Sequence, residues 1–290
     1  MTVLIGLTPN ERGAGALALG AMAARSLHDD LVVASITAKP WPEVFGADRE
    51  YLDLQRAQAE AALQQAGASI GNDLDVRYVV ESGRSVASGL VEVARDCAAS
   101  VVVLGSSSQG VDGLISLGGV ASRLLNSLDV PVLIAPTNYH AAPDARVRRV
   151  SVGFGRGDRD SGLLTSAAVQ AAKAGVQLRV ACFAVRPMNA ATGSIEADTE
   201  DLVVQEWIDG LRGDIEPALV EAVADPADVP IVVGVGGSWE QAITALEWAP
   251  NELLAVGAST SGVSRLLLGS HASKIVRNAP LPVLVLPRSD

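Results

Sequence analysis

The sequence contains VVVLGSSSQGVDGLISLGGVASRLLNSLDVPVLIAP at residues 101–136 and a second version of it, ELLAVGASTSGVSRLLLGSHASKIVRNAPLPVLVLP, at residues 252–287. An apolar start, a middle rich in glycine and serine, and a Pro-Val-Leu end follow one another in the same order in both. Pro131-Val132-Leu133 corresponds to Pro282-Val283-Leu284, and Gly105 corresponds to Gly257. A repeat of this length predicts that the chain contains two copies of one domain.

The starts of the two copies also correspond, since VLIG begins at Val3 and VSVG begins at Val150. Between Pro136 and Arg149 lies TNYHAAPDARVR, which is polar, contains proline and has no periodic apolar pattern. Such a composition is typical of a connector. We therefore expect a first domain over residues 1–137 and a second over residues 148–290. The length of 290 residues agrees with two domains of ordinary size.

Within each copy, short runs rich in β-branched residues alternate with longer segments of helical period, which is typical of a parallel sheet with crossover helices. The predicted strands lie near 2–7, 31–37, 75–80, 100–105 and 131–135, and near 149–154, 177–184, 229–235, 252–256 and 282–286. The predicted helices lie near 11–27, 48–67, 84–97 and 118–128, and near 160–174, 197–223, 238–247 and 269–278. Each copy is thus predicted to be an α/β domain with a doubly wound, five-stranded parallel sheet.

Composition restricts the classes of partner. A formal net charge of −11 argues against a nucleic-acid-binding protein, because phosphate neutralisation needs clustered Lys and Arg. No apolar segment approaches the length of about 20 residues that spans a bilayer, and the first residues do not resemble a signal peptide, so we expect a cytoplasmic protein without membrane contact. Cys97 and Cys182 are predicted to be reduced core residues, and no Cys or His pair has metal-ligand spacing.

The loop after the predicted fourth strand is the first candidate for a binding site, since ligands of open parallel sheets bind beyond the carboxyl ends of the strands. In the first copy, Gly105 is followed by SSSQGVDGLISLGG and then by a helix. Glycines allow close approach to a phosphate, serines can donate hydrogen bonds to it, and the helix N-terminus adds free N–H groups. The loop therefore predicts an anion site. The alternative is that its glycines only turn the chain between a strand and a helix.

At this loop the chain resembles the universal stress protein family, whose ATP-binding members carry Gly-x-x-Gly-x9-Gly followed by Ser or Thr, then a helix and a Pro-Val-Leu-Val strand. The matching positions are Gly105, Ser108, Gly118 and Gly119 in the first copy and Gly257, Thr260, Gly269 and Ser270 in the second. The family's aspartate at the end of strand one is matched by Thr8 in the first copy and by Gly155 in the second. The resemblance covers nearly the whole chain.

The resemblance implies a tandem member of that family with an adenine nucleotide alpha hydrolase-like, Rossmann-like fold. It implies a stress-response protein that acts by binding or signalling rather than as an enzyme. The ligand it implies is ATP or a related adenine nucleotide, accompanied by Mg²⁺ and bound at the loop after strand four of one or both domains. The implied site residues are Thr8, Gly105, Ser108, Gly118, Gly119, Gly257, Thr260, Gly269 and Ser270. The alternative is a member that binds no nucleotide and acts through protein partners.

Two further expectations concern assembly and chemistry. Family members associate through their last strands, so the resemblance implies an intramolecular pair of the two domains, with a homodimer of chains as a further arrangement. No motif of a nucleophile, a catalytic base or a metal ligand set is present in the sequence, so no catalytic residue is assigned. His271, just after Gly269 and Ser270, is interpreted either as a surface or capping residue or as a ligand contact.

Overall fold

The computed structural model describes residues 1–8, 13–38, 48–107, 110–155, 158, 162–185, 197–258 and 268–287. In the first domain the strands are β1 (Thr2–Gly6), β2 (Asp30–Ala38), β3 (Val76–Gly83), β4 (Ala99–Gly105) and β5 (Val132–Ala135). They alternate with the helices α1 (Gly13–Leu27), α2 (Asp48–Ser69), α3 (Val86–Asp96) and α4 (Gly119–Ser127).

The second domain repeats this order. Its strands are β6 (Arg149–Gly153), β7 (Gln177–Val185), β8 (Ile231–Gly236), β9 (Glu252–Gly257) and β10 (Val283–Leu286). Its helices are α5 (Leu163–Ala174), α6 (Ala197–Ala222), α7 (Trp239–Thr244) and α8 (Ser270–Asn278), with a short 3-10 turn at Pro226–Asp228. The predicted α/β fold class is confirmed.

Helix α7 is shorter than the sequence predicts, because it ends at Thr244 instead of near residue 247. The indole Nε1 of Trp248 donates a hydrogen bond to the carbonyl of Ile243 at 2.9 Å. In a continuing helix that carbonyl would accept from the backbone N–H of residue 247. A side chain that follows the helix therefore takes over one of its last acceptors.

All ten strands form one sheet in the order β3-β2-β1-β4-β5-β10-β9-β6-β7-β8. Neighbouring strands are parallel within each half. The two halves join where β5 and β10 pair antiparallel, with Leu133 opposite Leu284. Every residue of these two short strands is buried, so the pairing covers two apolar edges that would otherwise be open to aggregation.

Helices cover both faces of this sheet. Apolar side chains of α1, α2, α5 and α6 form one core cluster on the first face. Those of α3, α4, α7 and α8 form the other cluster on the opposite face. Both clusters contain residues of both domains, and they consist mainly of Ala, Val, Leu and Ile, as buried parallel strands require.

The connector between the domains differs from the expected polar link, because it packs against α1. A Cβ added at Gly15 of α1 would lie only 3.4 Å from Tyr139, so glycine allows this close contact. The backbone N–H of Val147 donates to the buried hydroxyl of Ser26 at 2.8 Å. Burial also raises the pKa of Tyr139 to about 12. Hydrophobic residues that are dispersed in this part of the sequence thus join the core of the first domain.

Both cysteines are free thiols in the structure, and burial raises the pKa of Cys182 to about 12. Across the described ranges there is no group of three His, Cys, Asp or Glu side chains placed to hold a metal ion. None of the helices in those ranges is long and apolar enough to cross a bilayer.

Candidate ligand-binding cleft

A cavity of about 280 Å³ lies in the first domain, at the carboxyl ends of β1, β2 and β4 and against α3 and the start of α4. Strand order reverses between β1 and β4, which is where open α/β sheets bind their ligands. The predicted site residues Thr8, Gly105, Gly118 and Gly119 all line this cavity. Ser108 lies outside the described residues. We call this cavity the first cleft.

The start of α4 supplies hydrogen-bond donors to the first cleft. Gly118 is the N-cap and provides no side-chain hydrogen bond to the helix. The N–H of Ser122 donates to the carbonyl of Gly118 at 3.0 Å, so the N–H groups of the three residues 119–121 precede this first helical bond. Helix α3, on the same wall, is instead capped by reciprocal bonds between Ser85 and Ser88. The positive end of α4 is therefore the one left for a ligand.

Two neighbouring glycines of this wall have different roles. A Cβ added at Gly118 would lie 3.1 Å from the Cβ of Ser107, so this glycine lets the loop pack closely on itself. A Cβ added at Gly119 would meet no atom within 4 Å, because this position faces open space. Gly119 is thus the position from which a larger side chain would project without disturbing the protein.

Serine hydroxyls of the loop are used differently from the sequence expectation. The hydroxyl of Ser106 is already used within the protein. It donates to the carbonyl of Ala135 at 2.8 Å and accepts from the N–H of Ser116 at 3.2 Å. The hydroxyls of Ser107 and Ser116 lie 2.7 Å apart and share one hydrogen bond. Since this pair has two hydroxyl protons, one of them remains to be donated elsewhere.

The loop is also tied to the beginning of the connector. The N–H of Gly113 donates to the carbonyl of Thr137 at 3.0 Å, and the N–H of Thr137 donates to the carbonyl of Leu114 at 2.9 Å. The amide of Asn138 donates to the carboxylate of Asp112 at 2.7 Å. These bonds hold the described part of the loop, residues 110–118, in one position before any ligand is bound.

The other wall of the first cleft is apolar, and sequence reasoning missed it. Its larger side chains are Leu7, Ile36, Val86, Leu90 and Leu104. They come from four separate elements and look in the sequence like ordinary core residues, so no sequence signal separates them from their neighbours. Among the described residues of both walls none is charged. The first cleft therefore combines an apolar wall with neutral hydrogen-bond donors.

Some of the equivalent positions in the second domain are occupied by larger side chains. Gly257 ends β9, Gly269 is the N-cap of α8 and Ser270 is its first residue, while Thr260 lies outside the described residues. Three cleft residues of the first domain, Ile36, Val86 and Val120, have aromatic counterparts. By strand and helix register these are Phe183 in β7, Trp239 at the start of α7 and His271 at the start of α8.

The ring of Trp239 packs against both Phe183 and His271, and we call these three side chains the aromatic cluster. The ring centroids of Trp239 and Phe183 are 6.4 Å apart, and those of Trp239 and His271 are 5.1 Å apart in an edge-on arrangement. Such separations are favourable for aromatic pairs. At the end of β6, a Cβ added at Gly155 would lie 2.9 Å from the imidazole of His271, so glycine makes room for this ring.

Two charged groups flank the aromatic cluster. The carboxylate of Asp158 accepts from the N–H of Gly155 at 2.9 Å and lies 4.0 Å from Nδ1 of His271. Nζ of Lys274 lies 5.5 Å from the centre of the Trp239 ring, within range of a cation–π interaction. Burial lowers the pKa of His271, Asp158 opposes this shift, and Lys274 adds to it.

Comparisons with known proteins agree with this architecture. The model of the universal stress protein family matches the chain twice, at residues 1–136 and 146–287. A universal stress protein of Mycobacterium tuberculosis is 33% identical over 293 residues, covering 99% of this chain and 100% of that protein. A second one from the same species is 28% identical over 265 residues, covering 89% of this chain and 84% of the relative.

Solved structures extend the comparison to the fold. The crystal structure of a universal stress protein from Archaeoglobus fulgidus covers 99% of this chain and 97% of its own, with a TM-score of 0.56 and 18% identity. A putative universal stress protein from Pseudomonas aeruginosa covers 99% of this chain and 93% of its own, with a TM-score of 0.54 and 15% identity. At these identities the likeness concerns the fold alone.

Proposed function

This chain belongs to the universal stress protein family, and from that premise we propose that its first domain binds ATP or a related adenine nucleotide in the first cleft. The observation that carries the proposal is the position of Thr8, Gly105, Gly118 and Gly119 around one cavity of about 280 Å³. These are the residues that the resemblance to ATP-binding members assigns to nucleotide in the first copy, apart from Ser108.

The two walls of the first cleft suit the two ends of a nucleotide. The apolar wall can receive a planar base, because ligand pockets are lined mainly by apolar side chains with a few placed polar groups. A phosphate can accept hydrogen bonds from the N–H groups of residues 119–121. It can also accept one from the hydroxyl proton that the Ser107–Ser116 pair does not use. Both interactions are available without movement of the described part of the loop, since its hydrogen bonds to Thr137 and Asn138 already hold it in place.

Magnesium would reach this site only with the phosphates. The described lining residues of the first cleft include no carboxylate, and hard cations such as Mg²⁺ are held by oxygen ligands, carboxylates above all. We therefore expect nucleotide affinity to depend little on Mg²⁺. We also propose a binding or signalling role in the cytoplasm rather than turnover, with domain boundaries at 1–137 and 148–290, which the two family matches support.

The antiparallel pairing of β5 and β10 supports a further part of this proposal, that the two domains form an intramolecular pair in place of a dimer of single-domain chains. Sedimentation analysis tests the arrangement: a particle of 29.8 kDa indicates that the internal pair is sufficient. A particle of twice that mass indicates that chains also associate with one another.

Calorimetric titration of the purified protein with ATP, with and without Mg²⁺, tests the nucleotide proposal. We expect saturable binding in the wild-type protein. In Gly119→Leu we expect a loss of at least about 100-fold in affinity, equivalent to about 2.7 kcal/mol, because the new side chain occupies the first cleft. Gly213→Leu is the matched control, since Gly213 on α6 likewise has no atom within 4 Å of an added Cβ.

Equal affinity in wild type and Gly119→Leu would show that the nucleotide binds elsewhere. No heat with ATP, ADP or AMP, together with no nucleotide bound to the purified protein, would favour the alternative function. The protein would then be a member of the family that acts through protein partners.

A further inference from the structure

The first and second domains carry different side chains at four positions where their clefts should correspond. In the first domain Thr8, Ile36, Val86 and Val120 all lie on the wall of the first cleft. Register places Gly155, Phe183, Trp239 and His271 at the same four positions of the second domain. Compared with the first domain, one residue of the second domain is smaller and three are aromatic. All four positions lie in the described part of the chain.

These changes are complementary to one another. Gly155, two residues after β6, has no side chain, and the imidazole of His271 lies against it. A Cβ at this position would be only 2.9 Å from the ring and would clash with it. In the first domain the corresponding residues, Thr8 and Val120, border the cavity. The His271 ring of the second domain therefore crosses the space that stays open in the first.

The aromatic cluster continues across the rest of that space. Phe183 is 3% exposed and belongs to the core, and Trp239 packs on it at 6.4 Å between centroids. His271 in turn packs on Trp239 at 5.1 Å and is 34% exposed, so it forms the outermost layer. Of the outer two rings, His271 lies 4.0 Å from the carboxylate of Asp158, and Trp239 has Nζ of Lys274 at 5.5 Å from its centre. Together the three rings run from the sheet to the surface.

We propose that the aromatic cluster is a built-in occupant of the second domain's cleft, so that the chain takes one nucleotide, in the first domain only. This inference rests on the proposed nucleotide binding of the first cleft. It assigns Trp239 and His271 as the residues that decide which domain accepts a ligand, with Gly155 as the residue that lets His271 reach its place.

The two domains provide reciprocal variants for the test. In Trp239→Val/His271→Val the second domain receives the residues that the first carries at these positions. We expect the stoichiometry of ATP in calorimetry to rise from one to two per chain. In Val86→Trp/Val120→His the first domain receives the residues of the second, and we expect at least about 100-fold weaker binding. Both variants must keep the wild-type far-UV circular dichroism spectrum.

Several results would overturn the proposal. Wild-type protein that binds two nucleotides per chain would show that the cluster does not exclude the ligand. A folded Trp239→Val/His271→Val variant that still binds one would show that these rings are not the obstacle. Wild-type affinity in Val86→Trp/Val120→His would show that the same rings do not fill the first cleft.

A measurement without nucleotide separates failure of this inference from failure of the proposed function. The fluorescence of Trp239 is obtained as the difference between wild type and Trp239→Phe, and its quenching by acrylamide reports how well the ring is covered. We expect His271→Val to increase the quenching constant several-fold. If ATP does not bind to the wild type but quenching rises in this way, the proposed function fails and the occupied cleft stands. An unchanged quenching constant would refute the occupied cleft itself.

Discussion

Replacement of Glu252 by glutamine should destabilise the second domain through a buried ion network at the amino ends of its strands. The carboxylate of Glu252 is fully buried and binds Arg149 at 2.6 Å and Arg179 at 2.8 Å. It also accepts from the backbone N–H of Ala249 at 2.8 Å and from the hydroxyl of Ser151. Glu252→Gln keeps the shape of the side chain but leaves two guanidinium groups without their counter-charge.

The size of the effect follows from the exposure of the partners. Removing one member of a buried ion pair costs about 3–5 kcal/mol. Arg179 is 6% exposed and cannot recover its hydration, whereas Arg149 is 26% exposed and can recover part of it. We therefore expect a loss near the lower limit, about 3 kcal/mol. For a protein of this chain length, the loss corresponds to a fall in Tm of about 6–12 °C.

The assay is urea unfolding of wild type, Glu252→Gln, Arg179→Met and the double variant, followed by far-UV circular dichroism. Once Glu252 is neutral, loss of the Arg179 charge should cost less, so the double variant should be more stable than the sum of the single changes predicts. We expect a coupling free energy of about 1–3 kcal/mol. Nucleotide affinity should not change, because the network lies in the second domain and β5 and β10 separate it from β4 at the first cleft. Additive single effects, or a loss below about 1 kcal/mol in Glu252→Gln, would refute the reasoning.

Three further predictions concern stability. Ser26→Ala should cost about 1–3 kcal/mol in urea unfolding, since it leaves the buried N–H of Val147 without an acceptor; Ser69→Ala, an exposed serine that bonds its own helix, should have little effect. Gly213→Leu should raise the free energy of unfolding by about 0.5–1 kcal/mol through helix propensity, and a loss would contradict the open space at this position. Because burial holds the pKa of His271 below 6.5, the unfolded chain takes up this proton first as the pH falls, so stability should decrease from about pH 6.5 downward. The difference in unfolding free energy between wild type and His271→Val should show this decrease, and a difference independent of pH would exclude it.

The sequence predicted the strands and helices well because their signals are local. Apolar runs and helical periodicity within each copy define the elements, and the repeat shows which elements correspond. The connector was interpreted as a polar link, because nothing local marks Tyr139 and Val147 as contacts of α1. Those contacts depend on Gly15 and Ser26, more than 110 positions away in the chain, and only the folded structure brings them together.

The sequence predicted one wall of the candidate site and missed the other. Glycines at the start of a helix are a local signal, so the donors of the first cleft could be located from the loop after β4. The apolar wall could not, since Ile36 and Leu90 resemble any other core residue until the fold places them at the cavity. The aromatic cluster had a signal that was not used: aligning the two copies sets Trp239 against Val86 and His271 against Val120.

The pairing of β5 with β10 within one chain has a consequence for how the two halves can change over generations. In an assembly of identical chains, every substitution appears on both sides of the symmetry axis, so a mutation that closes one cleft closes its twin. When both halves are encoded in tandem, each position mutates independently while the strand contact between them is preserved. One half is then free to become a scaffold that stabilises its neighbour, and selection for the ligand acts on the other half alone.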